Sequence, residues 1–587
     1  MELHWSLKEI YPSFEDEKFN SDIKELENKI TLFAIWANSL SIAKDKKEKL
    51  EEFIGLEAEL YNISRRLLDF CSLTLSVDSK NDKALKNLDI VEDIITGLAE
   101  PKAKFEAWLG SIKELEVIIQ SSDILKQHRF YLMEKQHQSN YILSEKEEAV
   151  IAKMRNTGSG AFEKLRDLLT SNLMVDIELQ GEKKKLPLTV IRNMAYDKDQ
   201  ECRKKAYFAE LEAYSQIEDS IAACLNGIKG EVVNLDKLRG YKSPLEETLI
   251  NSRMTKRTLD AMLQAIRESL PVFHKFYLKK AELLGHKKGL PFYDLLAPVG
   301  EFDKKYSYEE AKCFVVSNFN TFSRTLGEYA LKAFDQCWID AEPRQGKVGG
   351  AFCENLFYIG ESRIMANFNG KFSDVVTLAH ELGHGYHGEC LMGESILNTS
   401  YPMPIAETAS TFCETIVKKA ALKNASKQEE LFILESEISD CAQVLVDILS
   451  RFIFESRVFE ARKEGSLTAK ELNKLMLEAQ REAYGEGLDE NYLHPYMWIC
   501  KPHYYSAEES FYNFPYAFGL LFAKGLYSMY KMKGQGFAVD YDRFLGITGK
   551  NDLVSLGKAL DVDMESLDFW RGSIKIIQED INIFLNL

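Results

Sequence analysis

His380, Glu381 and His384 stand in an H-E-x-x-H pattern within the stretch Ser373–Cys390, SDVVTLAHELGHGYHGEC. An α-helix brings residues i and i+4 to one face, so the two imidazoles can serve one metal ion. Zinc suits neutral imidazoles at this spacing, and Glu381, one position round the helix, is placed to take a proton from a water on that metal. With ten histidines in 587 residues, a chance H-E-x-x-H is expected on the order of 0.01 times in such a chain. A purely structural metal site has no use for a base at 381. Ser373 is the expected N-cap, with Asp374 in the first turn where the helix dipole favours negative charge. Val375, Val376, Leu378, Ala379 and Leu382 supply apolar faces around the histidine stripe. His387, three residues after His384, is expected beside the metal site or on a cleft wall, or as a satisfied structural histidine. The metzincin pattern needs its third histidine six residues after the second, and this chain lacks it.

A catalytic zinc takes three protein ligands and keeps one position open. The segment Pro404-Ile405-Ala406-Glu407-Thr408-Ala409-Ser410-Thr411-Phe412-Cys413-Glu414 can open a helix at Pro404 that runs to about Leu422. Glu407 is the candidate third ligand, and Glu414, on the same helical face, could orient a ligating histidine. Spacing alone does not choose Glu407 over Glu389, Glu394 or Glu414.

The elements that must carry these residues are mostly helical. In Leu26–Leu50 and Leu50–Leu73, apolar residues recur at steps of three and four, as in Leu50, Phe53, Ile54, Leu56, Leu60, Ile63 and Leu67. The whole span from Phe14 to Val190 reads as long helices, with breaks at Ser76–Asp82 and Asn156–Gly160. Charge runs such as Lys44–Glu52 and Glu145–Glu148 read as solvated helix faces. Thr189–Arg192 and Tyr196–Gln200 read as connections, and Arg239-Gly240-Tyr241 ends a long helix. Gly349–Cys353 and Arg363–Phe368 read as extended, and Asn369-Gly370 is a turn signal just before the motif. In zinc peptidases, such a strand can bind substrate backbone as an added strand.

A chain of 587 residues exceeds what one core usually supports. We place a boundary near 195, with an N-terminal helical lobe over 1–195 and a catalytic part over 196–587. A net charge of −17 opposes nucleic-acid binding and docking on anionic membranes. Ten cysteines without a C-x-x-C pair or regular spacing suit reduced thiols in a cytoplasm. The beginning of the chain lacks the pattern of a signal peptide, and no window of 18 apolar residues occurs.

Taken together, Ser362–Phe368, DVVTLAHELGHGYHGE at 374–389, AETASTFCE at 406–414 and KPHYYSAEESFYNFPYAFG at 501–519 resemble the M3 family of zinc metallopeptidases, in its oligoendopeptidase F branch. The resemblance covers most of the chain from about 195 and, more weakly, the lobe before it. It implies one zinc ion held by His380, His384 and Glu407, with Glu381 as catalytic glutamate. It further implies His503 and Tyr516, with Tyr512 beside them, as groups that bind substrate and stabilise the oxyanion, although this chain has extra residues between His503 and Tyr516. The aromatic crowd Tyr504, Tyr505, Phe511, Tyr512, Phe514 and Tyr516 is polar at its ring ends, and buried hydroxyls need partners. The fold implied is mainly α: an elongated, two-lobed helical metallopeptidase with a deep substrate channel and a small β-sheet beside the zinc-binding helix. The activity implied is endopeptidase cleavage of short unfolded oligopeptides. A metallocarboxypeptidase, a non-catalytic metal-binding peptide binder and a helical interaction protein are the alternatives. Cleavage preference and oligomeric state are not legible in the sequence.

Overall fold

The computed structural model describes residues 2–42, 44–300, 302 and 304–587. Helices dominate, and the chain forms two compact units, each assembled from three separate segments. The first comprises Met1–Ile142, Lys304–Ala420 and Met529–Asp561, the second Leu143–Asp303, Ala421–Ser528 and Val562–Leu587. No helix among the described residues is long and apolar enough to cross a membrane. No disulfide joins any of the ten cysteines.

In the first unit, helices Glu17–Asn38 and Lys46–Val77 start at Asp16 and Asp45, whose carboxylates accept from the backbone N–H groups of Lys18 and Glu48. These caps satisfy donors that the first turn would otherwise leave orphaned. Leu50, Phe53, Ile54, Leu60, Ile63 and Leu67 are buried at the three- and four-residue steps the sequence predicts. Phe53 stacks on Phe105 with ring centroids 3.5 Å apart and planes 12° apart. The small sheet that the motif requires lies in this unit. Strand Glu361–Met365 is central, parallel to Ile339–Asp340 and antiparallel to Phe352–Leu356, which is left at the edge.

In the second unit, helix Lys256–Leu283 packs along Leu567–Leu585. Helix Glu218–Arg239 ends where predicted, at Gly240, whose φ of 93° is the left-handed conformation that glycine adopts without penalty. Two expectations fail here. The span read as long helices up to Val190 contains an antiparallel hairpin, Met174–Leu179 with Glu182–Pro187. Its two-residue loop, Gln180-Gly181, has positive φ at both positions, as a type I′ turn requires. Thr189–Arg192, read as a connection, lies in a short helix, Leu188–Asn193, because Leu188 and Ile191 bury one face of a single turn.

Candidate active site

The motif occupies helix Phe372–Leu391 in the first unit. Ser373 is not its N-cap. It lies inside the first turn, and Asp374 does the capping: its Oδ2 accepts from the backbone N–H groups of Asn369 at 2.7 Å and Lys371 at 3.0 Å. Val375, Leu378, Ala379 and Leu382 are buried as expected, whereas Val376 is half-buried.

Two glycines let neighbours approach this helix at backbone distance. A Cβ on Gly383 would stand 2.6 Å from Ser410 Cα, so helix Met403–Leu422 can press against the motif helix and deliver Glu407. A Cβ on Gly388 would stand 2.2 Å from Asn355 of the edge strand. That closeness lets Asn355 Nδ2 donate to the His384 carbonyl at 3.3 Å. Asn355 Oδ1 in turn accepts from Ser362, which accepts from the Tyr329 hydroxyl at 3.0 Å. The sheet therefore fixes the helix backbone at the second histidine of the motif.

The Nε2 atoms of His380 and His384 lie 3.1 Å apart, and Glu407 Oε2 is 3.3 Å from the first and 3.6 Å from the second. Donors at 2.0–2.1 Å on one tetrahedral ion are roughly 3.4 Å from each other. The three atoms thus fit a single divalent metal, and all lie within 4.8 Å of one another. Two of the three donor residues are already held by neighbours, His380 through its outer nitrogen and Glu407 through the donor oxygen itself. His380 Nδ1 is 2.5 Å from Glu414 Oε1, the other Glu414 oxygen accepts from Lys418 at 2.9 Å, and Glu407 Oε2 accepts from Ser410 at 3.0 Å. A histidine that gives Nδ1–H to a carboxylate turns its Nε2 lone pair outward, which is what ligation needs. Lys418 was not predicted, yet its i+4 spacing from Glu414 is a readable signal.

The electrostatics follow from burial and from three carboxylates around two imidazoles. Burial alone would lower the pKa of His380, but Glu407 and Glu414 outweigh it and hold it at about 10. Burial, reinforced by the charge of His380, takes His384 down to about 4. Glu407 and Glu414 are both held near 2 despite burial, Glu407 chiefly by the two histidines and Glu414 chiefly by Lys418 and His380. Glu381 is only 5% exposed, and burial pushes its carboxyl up to about 7. A bound cation would pull both His380 and Glu381 downward again.

His387 is a structural histidine. It is fully buried, its ring stacks on Tyr401 at 4.0 Å, and its Nε2 is 2.8 Å from Thr548 Oγ1. The Thr548 hydroxyl proton goes to the Leu545 carbonyl, so Nε2 is the donor, and burial pushes the ring's pKa down to about 3. His503, Tyr512 and Tyr516 belong to the second unit. His503 stacks on Tyr512 at 4.7 Å and 7°, and the hydroxyls of Tyr512 and Tyr516 are 3.2 Å apart. The three residues form one contiguous group despite the extra residues in the loop. By contrast, Tyr504 and Tyr505 are core residues of the same unit, with Tyr505 donating to the Trp498 carbonyl.

A helical fold carrying a His–His–Glu donor set with a buried carboxylate beside it defines a metallopeptidase. Residues 193–576 match Peptidase family M3, and residues 100–174 match Oligopeptidase F. The chain belongs to peptidase family M3 and is a metalloendopeptidase acting on peptides. It is 23% identical to Oligopeptidase PepF of Bacillus subtilis over 98% of its own length and 86% of that protein. Identity is 27% to an oligoendopeptidase F homolog of Lactococcus lactis, over 82% of this chain and 78% of the relative. The fold is also that of a putative peptidase from Chlamydophila abortus, with a TM-score of 0.87 at 22% identity over 99% and 98% of the two chains. Oligoendopeptidase-F from Enterococcus faecium superposes with a TM-score of 0.70 at 19% identity over 97% and 98%.

Proposed function

We propose that the chain is a zinc-dependent oligoendopeptidase that hydrolyses internal bonds of short unfolded peptides with a water nucleophile. The observation that carries this reading is the convergence of His380, His384 and Glu407 on one point, with Glu381 buried next to them on the same helix. One zinc ion, bound by those three residues, would supply Lewis acidity to the water and to the scissile carbonyl. Glu381 takes the proton of the attacking water and returns it to the departing amine. Glu414 and Lys418 hold His380 in its ligating tautomer, and Asn355 holds the turn that bears His384. We assign substrate binding and oxyanion stabilisation to His503, Tyr516 and Tyr512, on the strength of the resemblance and of their mutual stacking. In this reading residues 196–587 carry every reacting group, and residues 1–195 supply parts of both units. The absence of disulfides supports a cytoplasmic setting, and the acidity supports partners that are neither nucleic acid nor anionic membrane.

Glu381→Gln keeps the shape of the site and removes the base. Expected is a loss of about 10²–10⁴-fold in turnover, with zinc content by atomic absorption unchanged. A variant that retains most of its turnover would remove Glu381 from the mechanism. Product mass spectra from quenched peptides of increasing length, beside a folded protein, test the substrate class. Release of single C-terminal residues would replace the endopeptidase reading with a carboxypeptidase.

A further inference from the structure

Edge strand Phe352–Leu356 turns alternate residues to opposite sides. Asn355 faces the motif helix, whereas Glu354 turns to helix Lys46–Val77 and bonds Arg65. On that side lies a cavity of about 270 Å³, walled in part by Tyr61, Phe357, Tyr358 and Tyr401. Every lining residue belongs to the first unit. Nothing in the mechanism above uses this cavity.

Its charges do not balance. Arg65 serves Glu354 and also lies 3.1 Å from Asp69 Oδ1, so one positive charge faces two carboxylates. Asp69 is 4% exposed, and its Oδ2 makes no well-formed hydrogen bond among the described residues, the Tyr358 hydroxyl being its polar neighbour. Burial, followed by the charge of Glu354, pushes its carboxyl up to about 7 against the pull of Arg65. A buried acid that shares its one cation with a second carboxylate is costly, and a ligand cation is the group that would relieve it. Aromatic walls favour the same ligand, since ring faces attract cations.

The cavity is also connected to the catalytic residues. Tyr401, on its wall, stacks on His387 of the motif helix. Cys353 is half-buried, and the charge of Glu381 adds to the rise that desolvation causes in its thiol pKa, which makes the catalytic base a neighbour of the same strand. A peptide added to this edge would send successive side chains alternately toward the motif helix and toward the cavity.

We propose that this pocket receives a cationic group of the peptide substrate, an alkylammonium or guanidinium, held by Asp69 and Glu354, and so gives the enzyme a preference for cationic peptides. The proposal rests on the peptidase reading and specifies which peptides it favours. The net charge of −17 acts in the same sense by steering cations toward the protein.

The test uses zinc-loaded Glu381→Gln protein, which binds peptides without turning them over, and fluorescence anisotropy. The peptides carry arginine or citrulline at each position in turn, with a free or an acetylated N-terminus. Loss of one charge-assisted contact should weaken binding about tenfold or more. A drop on replacing arginine by citrulline assigns the pocket to a side chain, and a drop on acetylation assigns it to the α-ammonium. The drop should vanish when either Asp69→Asn or Glu354→Gln is added, and two independent variants guard against a folding defect in one. Neither drop appearing, or a drop that persists unchanged in both variants, would overturn the pocket. The same peptides given to the unaltered enzyme separate the two readings. Cation-selective binding without cleavage refutes hydrolysis and leaves the pocket, whereas cleavage without cation selectivity refutes the pocket alone.

Discussion

Buried charge is handled in two ways in this molecule, and one group of sites from each unit shows the difference. In the second unit, Lys229–Glu455, Lys280–Glu435, Lys524–Glu437 and Arg203–Asp294 are buried couples at 2.5–2.7 Å, each carboxylate matched to a cation. In the first unit, Glu381, Glu407 and Glu414 surround two imidazoles, and among the described residues Lys418 is the fixed cation bonded to them. Asp69 and Glu354 share a single arginine in the same unit. A closed couple has nothing left to offer a ligand. A cluster with surplus negative charge is stable when something positive arrives, and this difference separates architecture from function more sharply than burial does.

The largest effect is expected where a closed couple is opened. Lys280 donates to Glu435 and to the Leu295 carbonyl and is almost completely buried. Lys280→Met strands a buried carboxylate, which should cost about 3–5 kcal/mol in denaturant unfolding. Adding Glu435→Leu should recover most of that loss, because an apolar pair of similar volume can replace a buried ion pair. Zinc content of the folded fraction should stay the same. A cost below about 1 kcal/mol would mean that these couples are not the closed units described above.

An intermediate effect, of the opposite sign, is expected at Asp69. Burial and the neighbouring Glu354 push its carboxyl up to about 7, from the 3.8 usual for an aspartate. The folded state therefore binds more protons than the unfolded chain between those limits, and stability falls as pH rises from about 4 to 7. Asp69→Asn removes that slope. It should leave stability unchanged near pH 4 and raise it on the order of 2 kcal/mol above pH 7, as read by thermal unfolding across pH. A pH-independent difference would mean that Asp69 is a satisfied acid like those of the second unit.

The sequence was most informative where chemistry is local. His380, Glu381 and His384 lie within one helical turn, so their spacing alone specified a donor pair and a base. The break at Gly240 and the two strands before the motif were legible for similar reasons. The third donor was not, because Glu389, Glu394, Glu407 and Glu414 differ only in tertiary placement. Glu394 in fact pairs with Lys550, and the contact at Gly383 is what brings Glu407 in. The hairpin at 174–187 escaped because its second strand, EKKKLP, is charged over its first four residues and lacks the alternation that reveals a half-buried strand. Arg65 and Asp69 stand at a readable i,i+4 spacing, but the addition of Glu354 to that pair and the contact of Asn355 with the motif helix join residues far apart in the chain, for which no spacing rule exists.

The smallest effect tests the open cluster itself. Glu414 accepts from His380 Nδ1 and is balanced by Lys418. Glu414→Gln retains an acceptor of the same shape and removes one unit of negative charge. If surplus charge is what draws the metal, zinc affinity measured by competition with a chelator should fall about tenfold, the lower end of what such outer partners contribute. Lys418→Met, which increases the surplus, should move affinity the other way or leave it unchanged. A fall in both variants would show that geometry at His380, and not charge, governs binding. The contrast between the units would then be one of shape.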